Sequence, residues 1–294
     1  MMRVLTEDGW SLAVRHIAAQ GRSRGAILGL HAMMVDQRTL DRGGDGIGSL
    51  LASRGWDVYL ADFRGHGRSG PKVQKGGRWS YHDLVDYDVP ALVDAVRELN
   101  GRKPLVVLGH SLGVHVTAAS VGAGRCERPP DAFVNLAGGI WAPRLEPGRR
   151  AKLLKGLTFA AFRRVSRFQG FFPTRRLKIG SDDESGAYVE QLTGFWSDDY
   201  WGNERGDDYL AGMQTIEGPV LAVIGAGDWL LGWPKGLWRW TDAYGPERAD
   251  KWLVGRGSGH GLDFDPGHME LVTDLACRPM WERIADWLEL ALPA

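Results

Sequence analysis

A serine between two glycines lies where an apolar run meets a helical pattern, in the stretch LVVLGHSLGVHVTAAS (105–120). Glycine costs up to about 1 kcal/mol relative to alanine inside a helix, so glycines on both sides of Ser111 indicate a turn too tight for side chains. The pattern is G-x-S-x-G with a strand before it and a helix after it, a turn that lifts the serine hydroxyl clear of a sheet edge. The N–H of Leu112 then begins the helix and faces developing negative charge. The sequence therefore predicts that Ser111 is a nucleophile.

A serine hydroxyl needs a base, and the base needs an acid that orients it. Asp228 is the candidate acid, since it follows the buried run VLAVIGA (220–226) where an open α/β sheet collects its ligands. Two histidines are candidates for the base. His260 follows the run KWLVG (251–255) in a G-x-G-H turn, and His268 lies eight residues further on, before MELV. Either histidine could reach the serine, because loops tolerate changes in length.

Short apolar runs bounded by glycine or polar turns predict the strands that position these residues. Most runs are continuous rather than alternating, which is typical of strands buried on both faces of a parallel sheet. Helical patterns lie between them, and this alternation predicts an α/β fold. The predicted strands are 11–17, 25–30, 57–62, 105–110, 132–138, 220–226 and 251–255, and the predicted helices are 46–55, 90–99, the segment after Ser111, and 279–291.

The strand signal stops between residues 141 and 215, where a basic stretch, an acidic turn and an aromatic stretch follow one another. We interpret this segment as a helical lid inserted into a core made of residues 1–140 and 216–294. Most of the thirteen tryptophans are expected to fill core positions. For Trp229 and Trp233 the hypothesis is that they line an apolar substrate cleft.

The composition excludes several classes of protein. The 294 residues carry 36 Lys+Arg and 36 Asp+Glu, so no net field recruits nucleic acid or an anionic membrane. Two cysteines, Cys126 and Cys277, cannot form a disulfide framework. No apolar run reaches the roughly 18 residues of a membrane span, and the N-terminus lacks the apolar core of a secretory signal. The expectation is a soluble, cytoplasmic protein.

Several segments together resemble α/β-hydrolase-fold enzymes over nearly the whole chain. The resemblance is to bacterial serine esterases and lipase-like hydrolases, and it implies a mostly parallel central sheet flanked by helices, with an inserted helical lid. The motif before the last helix favours His268 as the base, since Trp281 lies 13 residues after His268 and 21 after His260. The G-x-G-H turn keeps His260 as the alternative. The matching segments are LHAMM (30–34), DFRGHGRSG (62–70), GHSLG (109–113), GAGD (225–228) and HMELV (268–272).

The resemblance also implies an oxyanion hole. Family members carry an H-G-x motif whose last residue donates its N–H, and here the pattern reads His31-Ala32-Met33. Met33 would therefore donate together with Leu112, although alanine replaces the glycine of the motif. Within DFRGHGRSG, Asp62 and His66 are interpreted as structural.

The activity that the resemblance implies is hydrolysis of a small-molecule carboxylic ester, with an apolar acyl part, through an acyl-enzyme. The expected triad is Ser111, Asp228 and His268, and the reaction needs neither a metal nor an organic cofactor. Acyl transfer and amide or peptide hydrolysis use the same triad and stay open, as does a non-catalytic binding protein of the same fold. A serine at this position excludes relatives that use an aspartate or a cysteine nucleophile.

Overall fold

An eight-stranded sheet forms the centre of the computed structural model, which describes residues 1–245 and 247–293. Its strand order is β1-β2-β4-β3-β5-β6-β9-β10, and two further strands, β7 and β8, form a separate hairpin. The strands are β1 (Met2–Leu5), β2 (Ser11–Ile17), β3 (Gly25–Leu30), β4 (Trp56–Ala61), β5 (Leu105–His110), β6 (Ala132–Leu136), β7 (Phe171–Phe172), β8 (Glu184–Ser185), β9 (Val220–Gly225) and β10 (Ala249–Val254).

Strands β3 to β6, β9 and β10 pair in parallel, whereas β1 and β2 pair antiparallel to their neighbours. Every residue of β3, β5, β6 and β9 is buried, which explains their continuous apolar runs. The predicted architecture, a mostly parallel central sheet flanked by helices, is confirmed. Strand β1 is not predicted from the sequence, because this edge strand buries only Val4.

Helices cover both faces of the sheet. On one face α3 and α4 pack against inward residues such as Val107, and on the other face α1 and α11 pack against Val106 and Leu108. The alternation of successive β5 residues between two cores is the period-2 geometry of a strand.

The α-helices are α1 (Ile47–Ser53), α2 (Tyr81–Asp83), α3 (Val89–Asn100), α4 (Leu112–Gly122), α5 (Arg149–Gln169), α6 (Thr174–Leu177), α7 (Gly186–Ser197), α8 (Tyr209–Gly212), α9 (Pro234–Thr241), α10 (Glu270–Thr273) and α11 (Arg278–Ala291). A π-helical turn (Leu84–Asp88) links α2 to α3, and 3₁₀ turns occupy Gln37–Thr39, Val73–Lys75, Pro143–Leu145, Met213–Thr215, Asp242–Tyr244 and Leu275–Cys277.

Residues 141–215, which make up most of the chain between β6 and β9, are hereafter called the inserted segment. It holds α5 to α8 and the β7–β8 hairpin, so its regular structure is mainly helical. In the part of the chain that the structure describes, no helix is long and apolar enough to cross a membrane.

A buried charge pair fastens the inserted segment to the core. Glu184 begins β8, and its Oε1 lies 3.1 Å from His66 Nε2, with both side chains fully buried. Burial alone would lower the pKa of His66, but the charge of Glu184, the hydrogen bond to it and the charge of Asp182 together raise that pKa to about 9. Both ring nitrogens of His66 face acceptors, the Arg64 carbonyl and Glu184, which agrees with a ring that is protonated at neutral pH.

The raised pKa of His66 makes stability depend on pH. An unfolded histidine titrates near pH 6.5, so the pair stabilises the fold fully below about pH 6.5, and this stabilisation is lost as the pH rises through about 9. We expect the free energy of unfolding to fall across this window in the wild-type protein and to fall less in His66→Gln. Urea unfolding followed by tryptophan fluorescence at several pH values measures both, and parallel pH curves would contradict the assignment.

Candidate active site

The turn between β5 and α4 centres on Ser111, which has φ 51° and ψ −108°. A positive φ at a residue other than glycine costs about 1–3 kcal/mol and persists only where the surroundings fix it. The Ser111 N–H donates to the Leu136 carbonyl of β6 at 2.9 Å, and the Ser111 carbonyl accepts from the Val114 N–H at 3.0 Å. These two hydrogen bonds hold the strained residue between sheet and helix, with its side chain partly exposed.

The two glycines of the motif are required by close backbone contacts. A Cβ on Gly113 would lie 2.4 Å from the Leu30 carbonyl oxygen, and a Cβ on Gly109 would lie 2.7 Å from the Gly113 backbone. Real Cβ atoms do not approach other atoms so closely. The Gly113 N–H also donates to the His31 carbonyl at 3.1 Å, which joins the serine turn to the loop after β3.

Asp228 lies in the loop after β9, and the structure brings it together with His268. The His268 Nδ1–H donates to Asp228 Oδ2 at 2.6 Å, and the Gly232 N–H donates to Asp228 Oδ1 at 2.7 Å. The Asp228 side chain is 2% exposed and the His268 side chain 10%. Because the carboxylate can only accept, the proton stays on Nδ1 and leaves His268 Nε2 as a proton acceptor.

His268 lies beside the serine turn. Its ring centroid is 5.0 Å from that of His110, the residue that precedes Ser111. The His110 Nε2–H donates to the His268 carbonyl at 3.0 Å. Burial, together with the charge of His268, lowers the pKa of His110 well below its usual value, so His110 is a neutral donor. This contact is not predicted from the sequence, although His110 lies inside the serine motif.

The structure does not bring His260 to Asp228. His260 Nδ1 pairs with Ser258 Oγ at 3.0 Å, and its ring lies 5.0 Å from the ring of Trp252 on the edge strand β10. Burial and the charge of Arg283 lower the pKa of His260. Of the two histidines that the sequence left open, His268 is the one whose imidazole is oriented by the carboxylate.

The loop after β3 carries the other predicted N–H donor. Among the described residues, neither the Met33 N–H nor the Leu112 N–H has a hydrogen-bond acceptor within the protein. The alanine that replaces the glycine of the family motif is accommodated, since the left-handed conformation falls on Met34 (φ 66°) and not on Ala32. The Leu112 N–H on the serine turn and the Met33 N–H on the β3 loop are therefore both available to bind an acceptor from outside the protein.

The structure therefore places an imidazole that is oriented by a buried carboxylate beside a strained serine, and these residue types are the ones that general acid–base chemistry uses. Two backbone N–H groups can stabilise an oxygen anion. Across residues 1–245 and 247–293, no group of three or more His, Cys, Asp or Glu side chains is arranged to hold a metal ion.

The chain matches the family model for the alpha/beta hydrolase fold over residues 40–265. The matched region includes Ser111 and Asp228, begins after Met33 and ends three residues before His268.

Curated relatives match part of the chain. Triacylglycerol lipase 2 of Arabidopsis thaliana is 32% identical over 133 residues, which is 40% of this chain and 32% of the relative. Gastric triacylglycerol lipase of Bos taurus is 28% identical over 131 residues, or 40% of this chain and 33% of the relative. The matches therefore span about a third of the length of these relatives.

Solved structures match nearly the whole chain at low sequence identity. A soluble variant of monoglyceride lipase from Saccharomyces cerevisiae superposes with a TM-score of 0.67 at 16% identity, covering 99% of this chain and 96% of that one. A putative aryl esterase from Burkholderia cenocepacia gives a TM-score of 0.62 at 18% identity, with coverage of 100% and 99%. At these identities the likeness shows the fold.

The close contact at Gly113 yields a stability prediction. Gly113→Ala would place a methyl group against the Leu30 carbonyl, so we expect it to destabilise the protein by about 1–3 kcal/mol, the usual cost of overpacking. Gly194→Ala is the matched control, because the nearest atom to its Cβ would be 4.0 Å away and the residue lies inside α7. The control should be neutral or stabilising, since alanine favours helix. Urea unfolding of both variants measures the difference, and equal stabilities would contradict the steric explanation.

Proposed function

Because the chain belongs to the alpha/beta hydrolase fold family, we propose that it cleaves carboxylic esters through an acyl-enzyme formed on Ser111. The observation that carries the proposal is the 2.6 Å hydrogen bond between Asp228 and His268 beside the serine turn. It supplies an oriented base at Ser111, the one serine of residues 1–245 and 247–293 with a positive φ. The names of the lipases and esterases that the chain resembles support the same chemistry.

In the first half of the reaction, His268 Nε2 takes the proton of Ser111 Oγ as the oxygen attacks the ester carbonyl. The imidazolium that forms is stabilised by Asp228, which accepts from Nδ1–H and is itself held by the Gly232 N–H. The carbonyl oxygen becomes an anion and is bound by the N–H groups of Met33 and Leu112. The alcohol then leaves with the proton from Nε2, and the acyl group stays on Ser111.

In the second half, water repeats the sequence against the acyl-enzyme. His268 removes a proton from the water, the same two N–H groups bind the second oxyanion, and the acid product leaves as Ser111 regains its proton. Each step uses only groups of this chain and water.

We further propose that the inserted segment is the lid over this site. Its first residue, Trp141, donates an Nε1–H hydrogen bond to the Leu231 carbonyl at 2.9 Å, in the loop that follows Asp228. The Trp141 ring lies 4.8 Å from that of Phe159 in α5, so this helix is attached to the same loop. In that loop Trp229 and Trp233 are 65% and 37% exposed, which fits residues that meet an apolar acyl chain rather than fill the core.

The triad generates a direct test of function. Ser111→Ala should abolish labelling by a fluorophosphonate probe and turnover of p-nitrophenyl esters, because it removes the nucleophile. His268→Ala should lower kcat by about 10⁴-fold or more, as other triad deletions do. Both variants should keep the wild-type unfolding midpoint to within a few degrees.

His260→Ala is the matched control for the base. It removes a histidine from a neighbouring loop without touching Asp228, so kcat should stay within a few-fold of wild type. If His260→Ala loses more activity than His268→Ala, the base is His260. Labelling that persists in Ser111→Ala would exclude the proposed nucleophile.

The acyl-pocket proposal predicts an effect that depends on chain length. Trp229→Ala and Trp233→Ala should lower kcat/KM for p-nitrophenyl octanoate several-fold and leave the acetate unchanged, because each buried CH₂ contributes about 0.8 kcal/mol. Leu290→Ala, at an 83% exposed position of α11, is the control and should change neither ester. Losses that are equal for both esters would argue against an acyl pocket at these tryptophans.

A further inference from the structure

We propose that Glu184 of the inserted segment is a positioning residue for the oxyanion hole, and that it acts by holding the backbone of the loop that contains Met33. This inference rests on the proposed function for its kinetic consequence. The contact itself is independent of that function.

Met34, directly after the proposed donor Met33, has a left-handed backbone with φ 66°. Such a conformation is unusual for a residue other than glycine and costs about 1–3 kcal/mol unless its surroundings impose it. The N–H direction of Met33 depends on the backbone angles on both sides of that residue. The contacts that fix the backbone of Met34 therefore also help to fix the direction of the Met33 N–H.

The inserted segment forms hydrogen bonds with both backbone polar groups of Met34. The Met34 N–H donates to Glu184 Oε1 at 2.6 Å, and the Met34 carbonyl accepts from the Asp182 N–H at 3.0 Å. The chain at Gly180 passes so close that a Cβ there would lie 2.3 Å from the Met34 carbonyl oxygen. Three contacts from residues 180–184 thus impose the strained conformation.

Glu184 is itself held rigidly. Its Oε1 also pairs with His66, its side chain is fully buried, and its backbone pairs with Phe172 in the β7–β8 hairpin. The next residue, Ser185, accepts the Trp79 N–H on its Oγ at 3.1 Å. Hydrogen bonds to an ionised acceptor are shorter and roughly twice as strong as neutral ones, which suits a group that must hold a strained backbone.

Met33 therefore lies between two fixed peptide groups. On its N-terminal side the His31 carbonyl accepts from the Gly113 N–H, and on its C-terminal side the Met34 N–H donates to Glu184. The first anchor comes from the serine turn and the second from the inserted segment. Removal of the Glu184 side chain leaves the Met34 carbonyl bonded to the Asp182 N–H but takes away the acceptor of the Met34 N–H, so the direction of the Met33 N–H is fixed less firmly.

The experiment compares three replacements of Glu184 that differ in what they offer to Met34. Glu184→Leu offers no acceptor, and we expect kcat to fall about 10- to 100-fold, as a misplacement of about 1 Å does, with KM within twofold. Glu184→Gln keeps an oxygen in place and should retain at least a third of kcat. Glu184→Asp keeps the charge but withdraws the carboxylate by one methylene, so its kcat should lie between the other two.

A second readout separates a loss of oxyanion binding from general damage. A trifluoromethyl ketone that mimics the substrate forms an oxyanion on Ser111, so its inhibition constant should weaken by the same factor as kcat/KM across the series. The control is Asp183→Ala: Asp183 is the neighbouring buried carboxylate, and it bonds Thr174 and the Arg175 N–H rather than Met34. Asp183→Ala should keep kcat and inhibitor binding within twofold of wild type.

Amide hydrogen exchange at Met34, whose N–H donates to Glu184, is read by mass spectrometry and tests the contact without activity. Exchange should be slow in wild type and Glu184→Gln, and faster in Glu184→Leu and Glu184→Asp. The proposal is overturned if Glu184→Asp matches Glu184→Gln in kcat and exchange, a comparison that holds even if Glu184→Leu fails to fold. Equal kcat losses in Asp183→Ala and the Glu184 variants would also overturn it. An inactive wild type with the expected exchange pattern would instead remove the proposed function and leave the contact in place.

Discussion

The absence of a side chain at Gly113 is the constraint on which the site depends. Because nothing projects there, the serine turn approaches β3 until a Cβ would lie 2.4 Å from the Leu30 carbonyl oxygen, and the Gly113 N–H reaches the His31 carbonyl. This single contact aligns the start of α4 with the loop after β3. Leu112 begins the helix that follows β5 and Met33 lies in the loop that follows β3, and these two strands are neighbours in the sheet.

Parallel pairing supplies the rest of the arrangement. β3, β5, β9 and β10 all end at one edge of the sheet, so the loops that follow them converge there although they are far apart in sequence. The hydrogen bond of Asp228 with His268 spans 40 residues, and the bond from His110 to the His268 carbonyl spans 158. A rigid buried sheet is what allows such distant groups to meet at hydrogen-bond distance.

Sequence patterns predicted the parts of the molecule that are determined by burial and by contacts between residues close in sequence. The buried runs and the paired glycines around Ser111 reflect burial and close backbone contact, both of which leave a mark in the sequence. The choice between His260 and His268 stayed open from the residues, because it depends on how a glycine-rich loop folds over the sheet edge. Glu184 left no local signal, since its partners His66 and Met34 lie 118 and 150 residues away.

Two strained residues flank the contact between Gly113 and His31 in sequence: Ser111 lies two residues before Gly113, and Met34 lies three residues after His31. Hydrogen bonds to β6 and α4, within the core, hold the strained backbone of Ser111. Hydrogen bonds to the inserted segment hold the strained backbone of Met34. The carboxylate that anchors this segment to His66 is the same one that holds Met34. The way the segment docks and the shape of the β3 loop therefore cannot vary independently, and a change in one must alter the other.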